Sequence, residues 1–285
     1  MVFCDKDNPS CENSLALWNS AYLCRRLKRL FALHEKNNAM KILVCISRVP
    51  DTEARVAFTA DGSAFDESGV TFIMNPYDEW YALVRALELK ESLGGSVTVV
   101  HVGTAASDPI IRKALAIGAD DAVRIDAEAP SADFTARQLA AFAKSENYDL
   151  ILCGKETIDY NGAEVPGMLA ELLGLPFVSH AEKLEMEGQK FVLTRPVTGG
   201  TEVVEVEGPL VVSAAKGMAE QRIPNMRGIM MAKRKPLKVV PPVEVEEKVQ
   251  FVHFELPPAK KEVKLIDPEN MDELVRLLHE EAKVI

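Results

Sequence analysis

Several features that would point to particular classes of protein are missing from this sequence. The chain has five cysteines, an odd number, and no two of them form a CxxC pair. This spacing gives neither a disulfide framework nor a zinc site. The five histidines are scattered, and no two have the spacing of metal ligands. No apolar run approaches the roughly 18 residues that a membrane span requires. We therefore expect a protein of the reducing cytoplasm without a membrane span.

The common catalytic and nucleic-acid-binding signatures are also missing. There is no GxxxxGK[ST] loop, no GxGxxG after a strand and no Gly-x-Ser-x-Gly elbow. Lysine and arginine number 33 against 43 aspartates and glutamates, which gives a formal charge of −10. Phosphate backbones are bound by clustered cations, so this balance argues against nucleic acid as the main partner. His101 ends a predicted strand, where a structural role is the more common one.

From Met40 onward, short apolar runs alternate with helical patterns. This alternation predicts an α/β fold, with a parallel, Rossmann-like sheet covered by helices on both faces. The predicted strands are Ile42–Ile46, Ser96–Val102, Ala122–Ile125, Leu150–Cys153 and Leu210–Ser213. The predicted helices are Pro76–Leu93, Pro109–Ile117, Ala132–Ala143 and Gly162–Leu173.

The pattern changes after Pro176 and again near Leu237. Three strand-like runs, 181–187, 190–196 and 201–207, predict a small β-meander before the last apolar strand. A chain rich in proline and charge follows from residue 237 and ends in a short amphipathic helix. We predict three regions: a weakly ordered extension (1–39), a nucleotide-binding domain (40–236) and an extended C-terminal arm that packs on a partner subunit (237–285). Met40 is the expected physiological start, and an amphipathic targeting helix in 1–39 is the alternative.

Four segments follow predicted strands or precede the first long helix, at the carboxyl edge where parallel sheets bind ligands. They are Cys45–Thr52, Met74–Asp78, Val102–Thr104 and Gly154–Gly167. The last segment lies between a strand and a helix, and Gly154 and Gly162 permit close approach of a phosphate to backbone N–H groups. Each segment alone is also compatible with an ordinary strand-to-helix turn. Together they predict a nucleotide site.

The same segments carry a family resemblance. Arg48-Val49-Pro50-Asp51, Met74-Asn75-Pro76, the run from Ala114 to Asp120, Gly154-Lys155 with Ile158-Asp159, and the run from Ile229 to Lys233 resemble β subunits of electron transfer flavoproteins. Order and spacing hold from Met40 to about Lys235, and residues 1–39 have no counterpart.

The resemblance implies an electron carrier rather than an enzyme, with an adenine nucleotide alpha hydrolase-like fold. Such a subunit pairs with an α subunit that holds most of a redox-active FAD. It buries AMP in many members, and a second FAD takes that place in electron-bifurcating members. The implied nucleotide contacts are Cys45, Asn75, Pro76, Tyr77, Asp78, Val102, Gly154, Lys155, Glu156, Thr157, Ile158, Asp159, Tyr160, Asn161, Gly162, Ala163, Glu164 and Val165.

The resemblance also implies partners. Electrons would arrive from flavin dehydrogenases such as acyl-CoA dehydrogenase, as in fatty acid β-oxidation, and leave to a quinone oxidoreductase or another acceptor. The Ala214–Pro224 loop would dock the dehydrogenase, with Met218 as the apolar anchor beside Ala219 and Glu220. The other interpretation of Met218 is a side chain that fills the core. The Arg48–Thr52 loop would approach the flavin.

Some alternatives stay open at this point. Residues 159–165 depart from the aspartate-rich segment of AMP-containing members, so AMP and a second FAD both remain candidates. Another class is an ATP-binding stress-type module, although the glycine-rich loop expected late in such chains is missing. An adenylating or pyrophosphatase-like enzyme and a structural partner with an empty site are further hypotheses.

Overall fold

The computed structural model describes residues 39–259 and 263–285, so the predicted extension lies almost entirely outside the described residues. Twelve strands occur in the described part of the chain. They are β1 (Met40–Cys45), β2 (Arg48–Pro50), β3 (Phe72–Met74), β4 (Gly95–Val102), β5 (Asp121–Ile125), β6 (Leu150–Gly154), β7 (Phe177–Ala181), β8 (Lys183–Glu187), β9 (Lys190–Val197), β10 (Gly200–Glu207), β11 (Leu210–Ala214) and β12 (Leu237–Val240).

Seven of these strands form one parallel sheet in the order β12-β5-β4-β1-β6-β11-β7. From β1 the chain winds to β4 and β5 on one side, and then to β6 and β11 on the other. The direction therefore reverses between β1 and β6, and a crevice at the carboxyl ends of these two strands is the place where such sheets bind ligands.

Helices cover both faces of the sheet. The α-helices of the described residues are α1 (Asp78–Leu93), α2 (Asp108–Ile117), α3 (Ala132–Lys144), α4 (Val165–Leu173) and α5 (Met226–Ala232), with α6 (Met271–Arg276) in the C-terminal segment. Leu83 of α1 and Ile111 of α2 pack in one buried cluster with alternate strand residues such as Val44. Leu139 of α3 and Leu169 of α4 pack in a second cluster, on the opposite side of the strands. The predicted α/β class, with a sheet covered on both faces, is confirmed.

Some element boundaries differ from the sequence-based expectation. The predicted meander is present as the antiparallel sheet β10-β9-β8, but β7 was missed, because Phe177–Ala181 mixes buried and exposed positions. The helix predicted from Gly162 begins only at Val165. Asn161 and Ala163 have φ values of 50° and 52°, in the left-handed region, which a right-handed helix cannot include.

The chain divides into two compact units. The first contains the described residues up to Arg55 together with Gly69–Gln250. The boundary predicted at 236/237 falls just before β12, whose four residues pair with β5 in the main sheet. Gln138 of α3 then holds the backbone of Val243 through hydrogen bonds of 2.7 and 2.8 Å. The sheet thus includes the first residues of the segment predicted as an arm.

The second unit contains Val56–Ser68 and Phe251–Ile285. Phe58 stacks on Phe254 at a centroid distance of 5.3 Å, and the Phe254 N–H donates to the Gly62 carbonyl at 2.8 Å. The helix α6 continues into a π-helical turn over Leu277–Glu281. A search of the described residues found no helix with the length and apolarity needed to cross a membrane.

Candidate functional site

The ends of β1 and β6 form the floor of the candidate site. Val44 of β1 pairs with Leu152 of β6, and Cys45 and Cys153 are the next residues of these two strands. Both are buried free thiols. A hydrogen bond to the Cys153 thiol, together with burial, raises the pKa of Cys45 well above its usual value. The Cys45 thiol therefore stays protonated, and burial gives both cysteines the role of small apolar residues. Val102 lies at the corresponding end of the neighbouring strand β4.

Asn75 joins three of the four predicted segments. Its side chain is fully buried. The Asn75 Nδ2 group donates to the Glu156 carbonyl at 2.9 Å, and Oδ1 accepts from the Ile158 N–H at 3.1 Å. The Asn75 backbone N–H donates to the Ser47 carbonyl at 3.0 Å. The loops after β1 and β6 are thus fixed to the segment that precedes α1.

The loop after β6 has a buried beginning and an exposed tip. Lys155, Glu156, Thr157 and Ile158 are half-buried, and the Lys155 N–H donates to the Ala214 carbonyl at the end of β11. From Asp159 to Glu164 the residues are exposed. The tip is therefore the part of the loop open to solvent, and the beginning is tied to the sheet.

Unusual backbone conformations concentrate around this site. Five described residues other than glycine have a positive φ, and three of them, Tyr77, Asn161 and Ala163, belong to the predicted contact set. Such conformations cost of the order of 1–3 kcal/mol each and persist where the surroundings hold them. Pro76 and the exposed Tyr77 lead directly into α1.

Acidic side chains outnumber cations at this edge. Burial raises the pKa of Asp78, and the nearby Lys155 opposes that shift. The Lys155 ammonium also forms an ion pair of 2.7 Å with Glu156. The His180 side chain also opposes the raised pKa of Asp78. A phosphate at this edge would therefore rely mainly on backbone N–H groups and Lys155.

Glu79 is a functional candidate that the sequence reading missed. Its carboxylate accepts from the Ser47 N–H at 2.6 Å, and only 5% of the residue is exposed. A signal was present, because Glu79 precedes Leu83 by four positions and Ala86 by seven. That spacing places it on the buried stripe of α1.

His101 forms part of a separate polar cluster. Its Nδ1–H donates to the Ile46 carbonyl at 2.9 Å, and burial lowers the pKa of the imidazole. Arg124, its neighbour on β5, lies 2.8 Å from Asp108 at the start of α2. The expected structural role of His101 agrees with this arrangement.

The proposed anchor Met218 does not reach the surface. It is 4% exposed and packs in the same core cluster as α1 and α2. This burial favours the other interpretation of Met218, a side chain that fills the core. Ala219 is half-buried and Glu220 is exposed. Large apolar side chains are exposed in the following segment, the most exposed being Ile223, Met226 and Met230, at 86%, 75% and 68%.

Comparison with known proteins decides the family. The profile of the electron transfer flavoprotein domain matches residues 63–245. This chain belongs to the electron transfer flavoprotein family. It is 40% identical over 223 residues to the electron transfer flavoprotein subunit beta of Syntrophomonas wolfei, covering 78% of this chain and 87% of the relative.

Two further relatives extend the comparison. The electron transfer flavoprotein subunit beta of Bacillus subtilis is 36% identical over 260 residues, which cover 86% of this chain and all of the relative. The acryloyl-CoA reductase electron transfer subunit gamma of Anaerotignum propionicum is 33% identical over 208 residues, covering 70% and 77%. The predicted resemblance to β subunits is confirmed. Proteins of this kind are electron carriers rather than enzymes, in agreement with the resemblance.

Proposed function

We propose that this chain is the β-type subunit of a heterodimeric electron carrier, which binds an α subunit holding most of the FAD and lodges an adenine nucleotide between the ends of β1 and β6. The main support for the nucleotide site is the buried Asn75. It forms hydrogen bonds with the backbones of Ser47, Glu156 and Ile158, where the winding direction of the sheet reverses between β1 and β6. In this family context, the flavin supplies the electron chemistry and the protein supplies position and environment.

AMP is the first candidate for the nucleotide, and a second FAD is the alternative. The rim is built from Cys45, Val102 and Gly154 at the strand ends, with Asn75–Asp78 and Lys155–Val165 as walls. Gly154 has little free space, since an added Cβ would lie 2.6 Å from the Glu79 Cγ. The exposed tip from Asp159 to Glu164 leaves one side open, where a ligand longer than AMP has room to extend.

The second unit supports an interface with the α subunit. Large apolar side chains between residues 251 and 285 are strongly exposed, including Val252 and Leu265 at 89% each and Val263 at 76%. Water-exposed apolar side chains at this density are typical of a surface that another chain covers. We assign the α subunit as that chain, as the sequence predicted for the arm.

The surface around α5 supports docking of a flavin dehydrogenase of the acyl-CoA class. Ile223, Met226 and Met230 expose apolar side chains, and Arg227 and Lys233 are exposed cations beside them. Methionine adapts to different partner shapes. The name of the Anaerotignum relative, an electron transfer subunit of acryloyl-CoA reductase, supports this class of partner. In this proposal a quinone oxidoreductase, or another acceptor, takes the electrons.

Purification with the partner chain tests the proposed function. We expect co-expression with the α subunit encoded by the same organism to give a yellow one-to-one heterodimer. Denaturation should then release one FAD with one AMP, or two FAD molecules, as measured by chromatography and absorbance. A β chain that stays monomeric beside its α subunit, or a heterodimer that releases no adenine nucleotide beyond the α-subunit FAD, would contradict the proposal.

A further inference from the structure

Glu79 lies at the proposed nucleotide site, between the ends of β1 and β6. The proposed function assigns it no role. It belongs to the first turn of α1 and is buried between the ends of β1 and β6. On the β1 side its carboxylate accepts the Ser47 N–H at 2.6 Å. On the β6 side its Cγ lies against the backbone of Gly154. A Cβ added to Gly154 would be only 2.6 Å from that Cγ atom.

No described lysine, arginine or histidine forms an ion pair with Glu79. The neighbours whose charges act on it are Asp78 of the same helix and Asp159 of the loop after β6, and both are acidic. From the end of β1 it faces the Cys45 thiol, and from the loop after β1 it faces the Ser47 N–H and hydroxyl. Lys155 and His180 act on the neighbouring Asp78, and Lys155 is already paired with Glu156.

These surroundings keep the carboxyl group of Glu79 neutral at physiological pH. Burial is the largest cause and raises the pKa; the hydrogen bonds from Ser47 come next and lower it without overcoming burial, and Asp159 and Asp78 add smaller upward effects. The pKa of Glu79 is raised from 4.5 to about 8. A neutral carboxylic acid keeps one O–H donor and still accepts the Ser47 N–H.

We propose that Glu79 is a positioning residue of the nucleotide site, and that an adenylate binds there together with one proton held on the Glu79 carboxyl group. The inference rests on the proposed function, since it assumes an adenine nucleotide between β1 and β6. An adenylate brings a phosphate dianion to an edge that already holds Asp78, Glu156 and Asp159. A charged Glu79 would repel it, whereas a neutral Glu79 holds the Ser47 loop without adding charge.

The pH dependence of binding follows from linkage between the two equilibria. Below pH 7, Glu79 is already protonated in the empty site, so binding takes up no proton there. Above about pH 8 the empty site has lost that proton, and binding must restore it. The association constant should then fall by up to about tenfold for each pH unit.

Calorimetry on the nucleotide-depleted heterodimer, with AMP as the probe, tests this inference. Titrations at pH 7.0, 8.0, 8.5 and 9.0, each in two buffers of different ionisation enthalpy, give the association constant and the number of protons taken up. We expect the proton number to rise from near zero to near one, with a midpoint close to pH 8. Glu79→Gln, which stays neutral and retains hydrogen-bonding capacity, should bind AMP with little dependence on pH.

Glu171→Gln is the matched control, because it removes one carboxylate from the exposed last turn of α4 and should retain the wild-type slope. Affinity independent of pH in the wild type, or an equal slope in Glu79→Gln, would overturn the inference and leave the proposed function intact. If Glu79→Gln does not fold, the wild-type proton number decides, and a value near zero at pH 9 overturns the inference. Absence of AMP and FAD binding at this site at every pH would overturn the proposed function as well.

Discussion

At the scale of single residues, Asn75 connects three segments of the candidate site through its hydrogen bonds. It is one of few fully buried polar residues in the described chain, and both ends of its amide are used. Only a group that donates and accepts at once can satisfy the Glu156 carbonyl and the Ile158 N–H together. A buried polar group that loses its partner costs about 1–3 kcal/mol.

Replacement of Asn75 by aspartate should therefore retain one of the two side-chain hydrogen bonds and remove the other. The variant retains an acceptor for Ile158 but loses the donor to Glu156, and it places a carboxylate beside that carbonyl. We expect the free energy of unfolding to fall by about 2–3 kcal/mol, and AMP affinity to fall at least tenfold. Urea denaturation and calorimetric titration of the heterodimer measure the two effects.

Asn225→Asp is the control for this change. Asn225 is exposed and caps α5 by accepting the Gly228 N–H at 2.8 Å, a role that aspartate fills equally well. The control should unfold within about 0.5 kcal/mol of the wild type. Wild-type stability and AMP affinity in Asn75→Asp would refute the role given to Asn75.

At the scale of elements, the segment from Ile223 through α5 differs from the other helices of the first unit. Only Ala232 is buried in α5, whereas α1 buries eight of its sixteen residues. The segment is nevertheless fixed in place, because the Trp80 indole donates to the Arg222 carbonyl at 3.2 Å and Arg222 forms two hydrogen bonds with Glu91. An element that is held at its start and exposes an apolar surface is suited to transient docking.

Substitution of Met226 by serine tests this element as the dehydrogenase-docking surface. The 75% exposure of Met226 predicts little effect on folding, and loss of its apolar surface should slow electron transfer from an acyl-CoA dehydrogenase about tenfold at limiting carrier. Flavin content should not change. Stopped-flow reduction of the carrier flavin measures the rate.

Val203→Ser is the matched control, since Val203 is 63% exposed on β10, away from α5 in the sequence. It should transfer electrons at the wild-type rate. If Met226→Ser also transfers at that rate, the α5 surface does not dock the dehydrogenase.

At the scale of the whole molecule, one edge of the main sheet is formed by β12, a strand that comes late in the chain. β12 covers the edge of β5, and Leu237 and Val240 pack against the two different core clusters. Before that strand, Lys235 donates to the Leu115 and Ala119 carbonyls at the end of α2. The first unit is therefore completed only beyond residue 236.

Two truncated chains test that conclusion. A chain ending at Gln250 retains β12, and a chain ending at Pro236 lacks it, while both lack the second unit's C-terminal segment. Burial of Leu237 and Val240 and four residues of strand pairing should make the longer chain more stable by about 2–4 kcal/mol. Urea denaturation followed by circular dichroism measures the difference, and equal midpoints would show that β12 contributes nothing.

The amino-acid sequence by itself determined the α/β class, the main strands and helices, and the segments at the carboxyl edge. These depend on local patterns, namely continuous apolar runs such as Ile42–Ile46 and helical spacing such as Leu83 with Leu87. The family followed from the same segments, because motifs such as Asn75-Pro76 keep their order and spacing along the chain. Partly exposed strands such as β7 escaped prediction because they lack a continuous apolar pattern.

Only the tertiary structure decided which residues share an environment. Sequence could not show that Met218 is enclosed by the core while Met226 is exposed, since both are methionines in similar local contexts. Nor could it show that Glu79 meets the Ser47 N–H, 32 positions earlier, in a site without a paired cation among the described residues. Burial and charge environment are sums over neighbours brought together by folding, and local patterns do not contain them.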